Sequence, residues 1–175
     1  VLTYKEYDAL IASAAESKLL LLRDFIEILY TTGARYSELM NLLRDDVDFE
    51  KKVGTFRDTK NGDDRTIPLA DNVLEILKRY PFGKTFFRVT SYDSYNWFFN
   101  QACKRAGIEN FRSHDLRACF ITNALLSGMS EASVATISGH KDFRSMKRYT
   151  RIKAQDLIDD VNKISAIREY KKINS

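Results

Sequence analysis

The stretch from Lys18 to Thr31 constrains the fold of this chain more than any other, because it is apolar on most of its faces. Its apolar residues are Leu19 to Leu22, Phe25, Ile26, Ile28 and Leu29, and Gly33 follows as a residue that ends helices. A helix with apolar side chains on most faces has to be surrounded by other elements. The sequence of 175 residues therefore predicts a single domain that packs around one central helix.

The remaining signals predict a mainly α-helical fold with one small antiparallel β-hairpin sheet. Val53 to Arg57 and Arg65 to Leu69 have strand character, and the polar loop Asp58 to Asp64 joins them through Asn61-Gly62. Cap residues, apolar periodicity and helix-ending glycines predict the other helices: Thr3 to Ala15 with a Thr3-Glu6 capping box, Ser37 to Leu43, a helix capped by Asp71 and running to Tyr80, Ser91 to Ala106, Ser113 to Ser127, Ser130 to Ser138, a helix carrying Tyr149, and a tail helix from about Ala154.

Aromatic residues are concentrated in the helix predicted from Ser91 to Ala106. They recur at helical spacing, which favours packing in the core over a platform for stacking bases. The rings are Tyr92, Tyr95, Trp97, Phe98 and Phe99.

Basic residues are concentrated in one short segment, although the net charge of the chain is only +4. Between residues 141 and 151, five basic residues stand against the single Asp142. A local cluster of this kind is typical of a contact with a phosphate backbone. The predicted DNA-binding residues are Lys141, Arg144, Lys147, Arg148 and Arg151.

The sequence predicts a cytoplasmic protein without a membrane span, a metal or another cofactor. No signal peptide opens the chain, and the longest apolar run, Leu19 to Leu22, is far too short to cross a bilayer. Cys103 and Cys119 lack metal-ligand spacing, and we expect both to be reduced thiols in the core. The chain begins without methionine, which predicts a fragment of a longer protein.

The only two histidines of the chain lie in two short motifs, SHDLR at residues 113–117 and GHKDFRSMKRY at residues 139–149. His114 and Arg117 are three residues apart, so a helix would project both from one face, where they could hold one anion. Phosphate is the anion that suits them. His140 follows Gly139, and Tyr149 stands among Lys147, Arg148 and Arg151, in a positive field that would assist loss of its proton.

Together with TGARYSEL at residues 32–39, these motifs resemble the catalytic domain of tyrosine recombinases, the phage-integrase and Xer-type enzymes. The resemblance extends from about Thr3 to about Lys163, and the motifs occur in the order and at roughly the spacing of that family. It implies the DNA breaking-rejoining fold. It also implies site-specific recombination, with cleavage and rejoining of DNA strands through a 3′-phosphotyrosyl intermediate and without metal or nucleotide.

The resemblance also assigns roles to individual residues. Two arginines, with planar guanidinium groups that suit phosphate, and two histidines would neutralise the phosphate; Tyr149 would be the nucleophile, and Lys60 would protonate the leaving oxygen. Glu38 would orient Arg35 or a histidine. The predicted catalytic set is therefore Arg35, Lys60, His114, Arg117, His140 and Tyr149. Two departures from the family pattern stand beside it: Ser138 where leucine is frequent, and Ala118-Cys119 where a basic residue and threonine are frequent.

The same resemblance implies partners and a longer protein. Double-stranded DNA would be the substrate, a homotetramer would assemble on it near the nucleoid, and accessory DNA-bending proteins would assist. We expect residues 1–175 to be the catalytic domain and a core-binding domain to precede it in the full protein. The tail helix 154–175 would either be exchanged between protomers or fold back on its own domain. Of the two branches, we favour a mobile-element integrase over a chromosome-dimer resolvase.

Two other classes stay open at this point. A type IB topoisomerase uses the same kinds of residues, although the spacing from His140 to Tyr149 favours recombinases. A non-catalytic helix-turn-helix module could place two helices between Ser130 and Tyr149, but it would leave Arg35 and His114 without a role.

Overall fold

The computed structural model describes residues 1–57, 64–88 and 91–140, and within them the chain forms seven α-helices and one three-stranded sheet. The helices are α1 Tyr4–Ala15, α2 Leu22–Thr32, α3 Tyr36–Met40, α4 Asp71–Lys78, α5 Tyr92–Arg105, α6 Asp115–Leu126 and α7 Glu131–Ser138. The strands are β1 Val47–Asp48, β2 Val53–Phe56 and β3 Arg65–Pro68. The predicted fold class, mainly α-helical with a small antiparallel sheet, is confirmed.

Helix α2 is the central element, as the sequence predicts. It packs against α1, α3, α4, α5 and α6. Its buried residues are Leu22, Phe25, Ile26, Ile28, Leu29 and Thr32. The predicted start at Lys18 is wrong. The Leu19 amide donates to the Ser17 hydroxyl over 3.1 Å, which holds this stretch in a turn and leaves Leu20 90% exposed.

The sheet has the antiparallel order β1-β2-β3, with Val47 opposite Gly54 and Phe56 opposite Arg65. The predicted hairpin is confirmed, apart from its boundaries. Strand β1 was not predicted, because two residues are too few to show the alternation by which a strand is recognised.

Side chains cap several helices where the sequence predicts them. Thr3 and Glu6 form the predicted capping box, with the Thr3 amide donating to the Glu6 carboxylate over 2.7 Å. Ser91 and Ser130 cap α5 and α7. Asp71 was expected to be a cap and is instead the first residue of α4, where its carboxylate accepts from the Lys52 ammonium over 2.7 Å.

Helix α5 buries only part of its aromatic set. Tyr95 and Phe99 are fully buried, whereas Trp97 is 58% and Tyr92 52% exposed. The expectation that all five rings belong to the core is wrong for these two, because five rings within eight residues cannot all lie on one face of a helix.

Cys103 and Cys119 are buried free thiols, as predicted, and burial raises the pKa of Cys103 to about 11. No helix of the described residues is both long enough and apolar enough to cross a bilayer.

Candidate functional site

Arg35 lies in the tight connection between α2 and α3. Gly33 ends α2 with a positive φ of 64°, and a side chain there would also collide with the Phe120 ring. Arg35 is the residue before α3; its amide donates to Glu38 Oε2 over 2.7 Å, and its Nη1 donates to Oε1 over 3.0 Å. Its side chain is 38% exposed. Glu38 therefore contacts both the backbone and the side chain of Arg35, and the catalytic role of Arg35 stays a prediction.

Arg65 is a site residue that sequence reasoning missed. It opens β3, its Nη2 donates to Glu38 Oε2 over 2.8 Å, its Nη1 also contacts the same carboxylate, and its Nε donates to the Ile137 carbonyl over 2.7 Å. Only 9% of the side chain is exposed. Arg65 thus joins the hairpin to α3 and to the end of α7. The sequence carried no local signal for this role, because Arg65 and Glu38 are 27 residues apart.

Gly139 allows this packing. It has a positive φ of 73° at the end of α7, and a Cβ atom there would lie 3.2 Å from both the Cδ and the Nη1 of Arg65. The conformation and the close approach both favour glycine.

The Glu38 carboxylate stays charged although only 3% of its side chain is exposed. Burial alone would raise the pKa of Glu38, but hydrogen bonds from Arg65 and from the Arg35 amide outweigh this effect and lower it. The result is a fixed negative charge between two arginines.

Arg117 and His114 lie at the start of α6. His114 is the exposed residue before the helix, and Arg117 is buried in its first turn. Arg117 Nη1 donates to the Gly33 carbonyl over 2.6 Å, and Nη2 donates to the Ser138 carbonyl. Asp115 supports the helix start by accepting from the Arg112 amide over 2.8 Å.

A cavity of about 370 Å³ brings three of the predicted site residues together. Arg35, His114 and Arg117 line it, with Leu29, Ala34, Tyr36, Ser37, Tyr92 and Ser113. Its volume is in the range of sites that hold a small group such as a phosphodiester. Arg35 and Arg117 are far apart in the sequence, but the fold brings them together in one cationic pocket.

His140 extends this cluster from the end of α7. Its Nδ1 lies 3.3 Å from Arg117 Nη2 and 2.8 Å from the Ser138 hydroxyl. Burial, and then the positive charges of Arg117, Arg35 and Arg65, lower the pKa of His140 to about 4. The ring is therefore neutral near pH 7.

The lowered pKa predicts how stability depends on pH. An unfolded chain binds a proton at His140 below its ordinary pKa of 6.5, whereas the folded protein does so only near pH 4. The free energy of unfolding should therefore fall as the pH drops from 6.5 towards 4. The full shift would be worth about 3 kcal/mol for a buried group, and since His140 is partly exposed we expect about 1 kcal/mol after screening.

Urea unfolding of the wild type and of His140→Asn between pH 4 and pH 7 measures this effect. The difference between the two stability curves isolates His140 from the carboxylates, Glu38 included, which lose their stabilising charge at lower pH. Parallel curves for the two proteins would contradict the prediction.

Several predicted site residues lie outside the described residues. They are Lys60, Tyr149 and the DNA-binding cluster Lys141, Arg144, Lys147, Arg148 and Arg151. Their roles stay predictions. Within residues 1–57, 64–88 and 91–140, no group of three or more His, Cys, Asp or Glu side chains is arranged to hold a metal ion.

Comparison with known proteins gives consistent matches. The sequence profile described as the phage integrase family matches residues 1–156. The tyrosine recombinase XerA of Saccharolobus solfataricus is 32% identical over 136 residues, which cover 75% of this chain and 46% of that protein. The XerA of Pyrococcus furiosus is 30% identical over 190 residues, covering 95% of this chain and 62% of that protein. The chain thus spans less than two thirds of either relative.

One solved structure has a similar extent to this chain. It is the catalytic domain of bacteriophage HP1 integrase, which superposes with a TM-score of 0.74 at 27% sequence identity and covers 92% of both chains. This match confirms the expected fold, down to the family of catalytic domains whose motifs the sequence resembles.

Proposed function

Because the chain belongs to the phage integrase family, we propose that it is the catalytic domain of a site-specific tyrosine recombinase. It would cleave and rejoin DNA strands through a 3′-phosphotyrosyl intermediate. The observation that carries this proposal is the meeting of Arg35, His114 and Arg117 around one cavity, with His140 in contact with Arg117. These residues come from three separate motifs, and a phosphate bound in the cavity would give them a shared ligand.

The charge of the cavity suits the phosphate of a DNA strand. Two guanidinium groups can each donate paired hydrogen bonds to phosphate oxygens and stay charged at any working pH. Negative charge that builds on these oxygens during strand transfer would be stabilised by Arg35 and Arg117. His114 is exposed and lines the same cavity, so it would donate a further hydrogen bond to the phosphate.

The covalent steps need two further groups, for which we propose Tyr149 and Lys60. The Tyr149 oxygen would bond to phosphorus as the bond to the 5′-oxygen breaks, and that leaving oxygen would take a proton from the Lys60 ammonium. Arg65 supports the second role, because it ties the start of β3, next to the loop that holds Lys60, to Glu38 and Ile137.

The proposal extends to partners. Double-stranded DNA would be bound through the basic cluster of residues 141–151, and the active assembly would be a homotetramer with the tail helix 154–175 exchanged between protomers. Accessory DNA-bending proteins would assist, and DNA as substrate would place the activity at the nucleoid in the cytoplasm. This chain covers 46% and 62% of the two XerA relatives, so the activity and the partners of the whole protein stay part of this proposal.

A covalent trapping experiment tests the proposed function, and it should succeed in EDTA. We would incubate the protein with a pool of nicked suicide duplexes of randomised sequence and separate the products on denaturing gels. Protein-linked DNA should form with chelator present, because the guanidinium groups of Arg35 and Arg117 neutralise the phosphate charge. Abolition by EDTA with rescue by magnesium would contradict the proposal.

The trapped sequences then separate recombinase from topoisomerase. A supercoiled plasmid that carries two copies of the enriched sequence should yield recombinants. Relaxation at high turnover without recombinants would instead indicate a type IB topoisomerase.

A further inference from the structure

Ser138 is a fully buried hydroxyl with two close partners. Its side chain is 0% exposed, and its Oγ lies 2.7 Å from the Val134 carbonyl oxygen and 2.8 Å from His140 Nδ1. A hydroxyl carries one proton, so Ser138 can donate to only one of them and must accept from the other. The position of that proton therefore decides whether His140 Nδ1 carries a proton.

The Val134 carbonyl determines to which partner the Ser138 hydroxyl donates. Val134 offers an oxygen without a proton, so a contact of 2.7 Å is favourable only if the Ser138 hydroxyl donates to it. The Ser138 oxygen is then an acceptor towards His140. Its 2.8 Å contact with Nδ1 is a hydrogen bond only if Nδ1 carries a proton.

Arg117 makes the opposite demand on the same nitrogen. Its Nη2 is a donor and lies 3.3 Å from Nδ1, so this contact alone would favour an unprotonated Nδ1. If Nδ1 were unprotonated, the single proton of the Ser138 hydroxyl could serve only one of its two short contacts. The other contact, below 2.9 Å, would then join two acceptors without a proton between them. The two short contacts of Ser138 outweigh the single longer contact of Arg117, because hydrogen-bond energy falls with distance.

We propose that Ser138 holds the His140 imidazole in the tautomer that carries its proton on Nδ1, which makes Nε2 the nitrogen that accepts hydrogen bonds and exchanges protons. Ser138 is then a positioning residue that acts through His140. Burial, and then the positive charges of Arg117, Arg35 and Arg65, lower the pKa of His140 and keep the ring neutral near pH 7.

The consequence for the reaction rests on the proposed function. The sequence suggests His140 as a donor to phosphate oxygens, but a neutral ring of this tautomer offers a lone pair at Nε2. A phosphate diester has no proton to give, so the partner that fits is a hydroxyl, such as that of the attacking or leaving group. His140 could donate from Nε2 only as an imidazolium, after a bound anion has raised its pKa.

Histidine ring nitrogens report their protonation directly in long-range ¹H–¹⁵N NMR spectra, which we would record on the DNA-free protein at pH 7. The chain contains only two histidines, so a His114→Gln variant assigns the His140 pattern by elimination. The wild type should show a protonated Nδ1 and an unprotonated Nε2. Ser138→Ala should convert the ring mainly to the opposite tautomer, because the partner left at Nδ1 is Arg117, which can only donate.

Two variants separate this effect from a general disturbance of α7. Ser138→Thr keeps the hydroxyl and should keep the wild-type pattern. The Thr136 hydroxyl, on the exposed face of the same helix, also donates to a helix carbonyl, that of Ala132, over 2.9 Å. Thr136→Ala removes this hydroxyl and should leave the His140 pattern unchanged.

The proposal is overturned if the wild-type ring carries its proton on Nε2, a result that needs no variant to fold. It is also overturned if folded Ser138→Ala keeps the wild-type pattern. Both measurements are made without DNA, so failure of the recombination assay would leave them intact.

Discussion

Tyr149→Phe is expected to abolish covalent protein–DNA complex while DNA binding is retained. Phenylalanine keeps the ring but lacks the oxygen that would bond to phosphorus, so no protein-linked strand can form. Trapping of the randomised nicked duplexes on denaturing gels measures the complex, and a native gel with the same DNA measures binding.

The structure supplies matched controls for this experiment. Tyr36 and Tyr92 line the same cavity as Arg117 and would be the alternative nucleophiles among the described residues. Burial and the neighbouring Tyr92 raise the pKa of Tyr36, which makes its phenolate harder to form. Tyr36→Phe and Tyr92→Phe should therefore still trap DNA. A Tyr149→Phe protein that traps DNA, together with loss in either control, would reassign the nucleophile.

Glu38→Ala is expected to lower the free energy of unfolding by about 3–5 kcal/mol, the range for removing one partner of a buried ion pair. The Glu38 side chain is 3% exposed and that of Arg65 is 9% exposed. Alanine would leave the Arg65 guanidinium buried without the carboxylate that accepts from both of its Nη atoms. Urea unfolding at pH 7 measures the loss.

An exposed pair in the same protein is the control for Glu38. Glu75 is 72% exposed and pairs with Lys78 over 3.0 Å, so Glu75→Ala should cost less than about 1 kcal/mol. Replacing both Glu38 and Arg65 by methionine should cost clearly less than the sum of the two single changes, since no unpaired charge is then buried. Equal effects of Glu38→Ala and Glu75→Ala would show that the buried network contributes little.

Sequence reasoning predicted the fold well wherever a local signal determines structure. The capping box at Thr3, the end of α2 at Gly33 and the end of α7 at Gly139 depend on residues a few positions apart. It failed for two elements. Strand β1 is too short to show a pattern. The start of α2 comes later than predicted, because the hydrogen bond from the Leu19 amide to the Ser17 hydroxyl forms a turn although the leucines there have helical spacing.

The residues of the site likewise fall into those that the sequence predicted and those that it did not. Motif spacing identified Arg35, His114, Arg117 and His140, and the structure brings all four into one neighbourhood. Arg65 escaped notice because its role depends on Glu38, 27 residues away in sequence, and no local pattern records such a pairing. Ser138 stood out only as a departure from the family pattern. Its significance is in the two short contacts of its hydroxyl, which no spacing rule predicts.

The manner in which Arg117 is held bears on the cost of binding. A free arginine has many rotamers, and fixing it on a ligand typically costs about 0.5–1.5 kcal/mol in conformational entropy. Here the carbonyls of Gly33 and Ser138, at the ends of two helices, already fix the guanidinium in the folded protein. That entropy is lost once, during folding, and not again at each turnover. The arginine is thus preorganised, and a larger share of its interaction energy with a phosphate is left for the transition state.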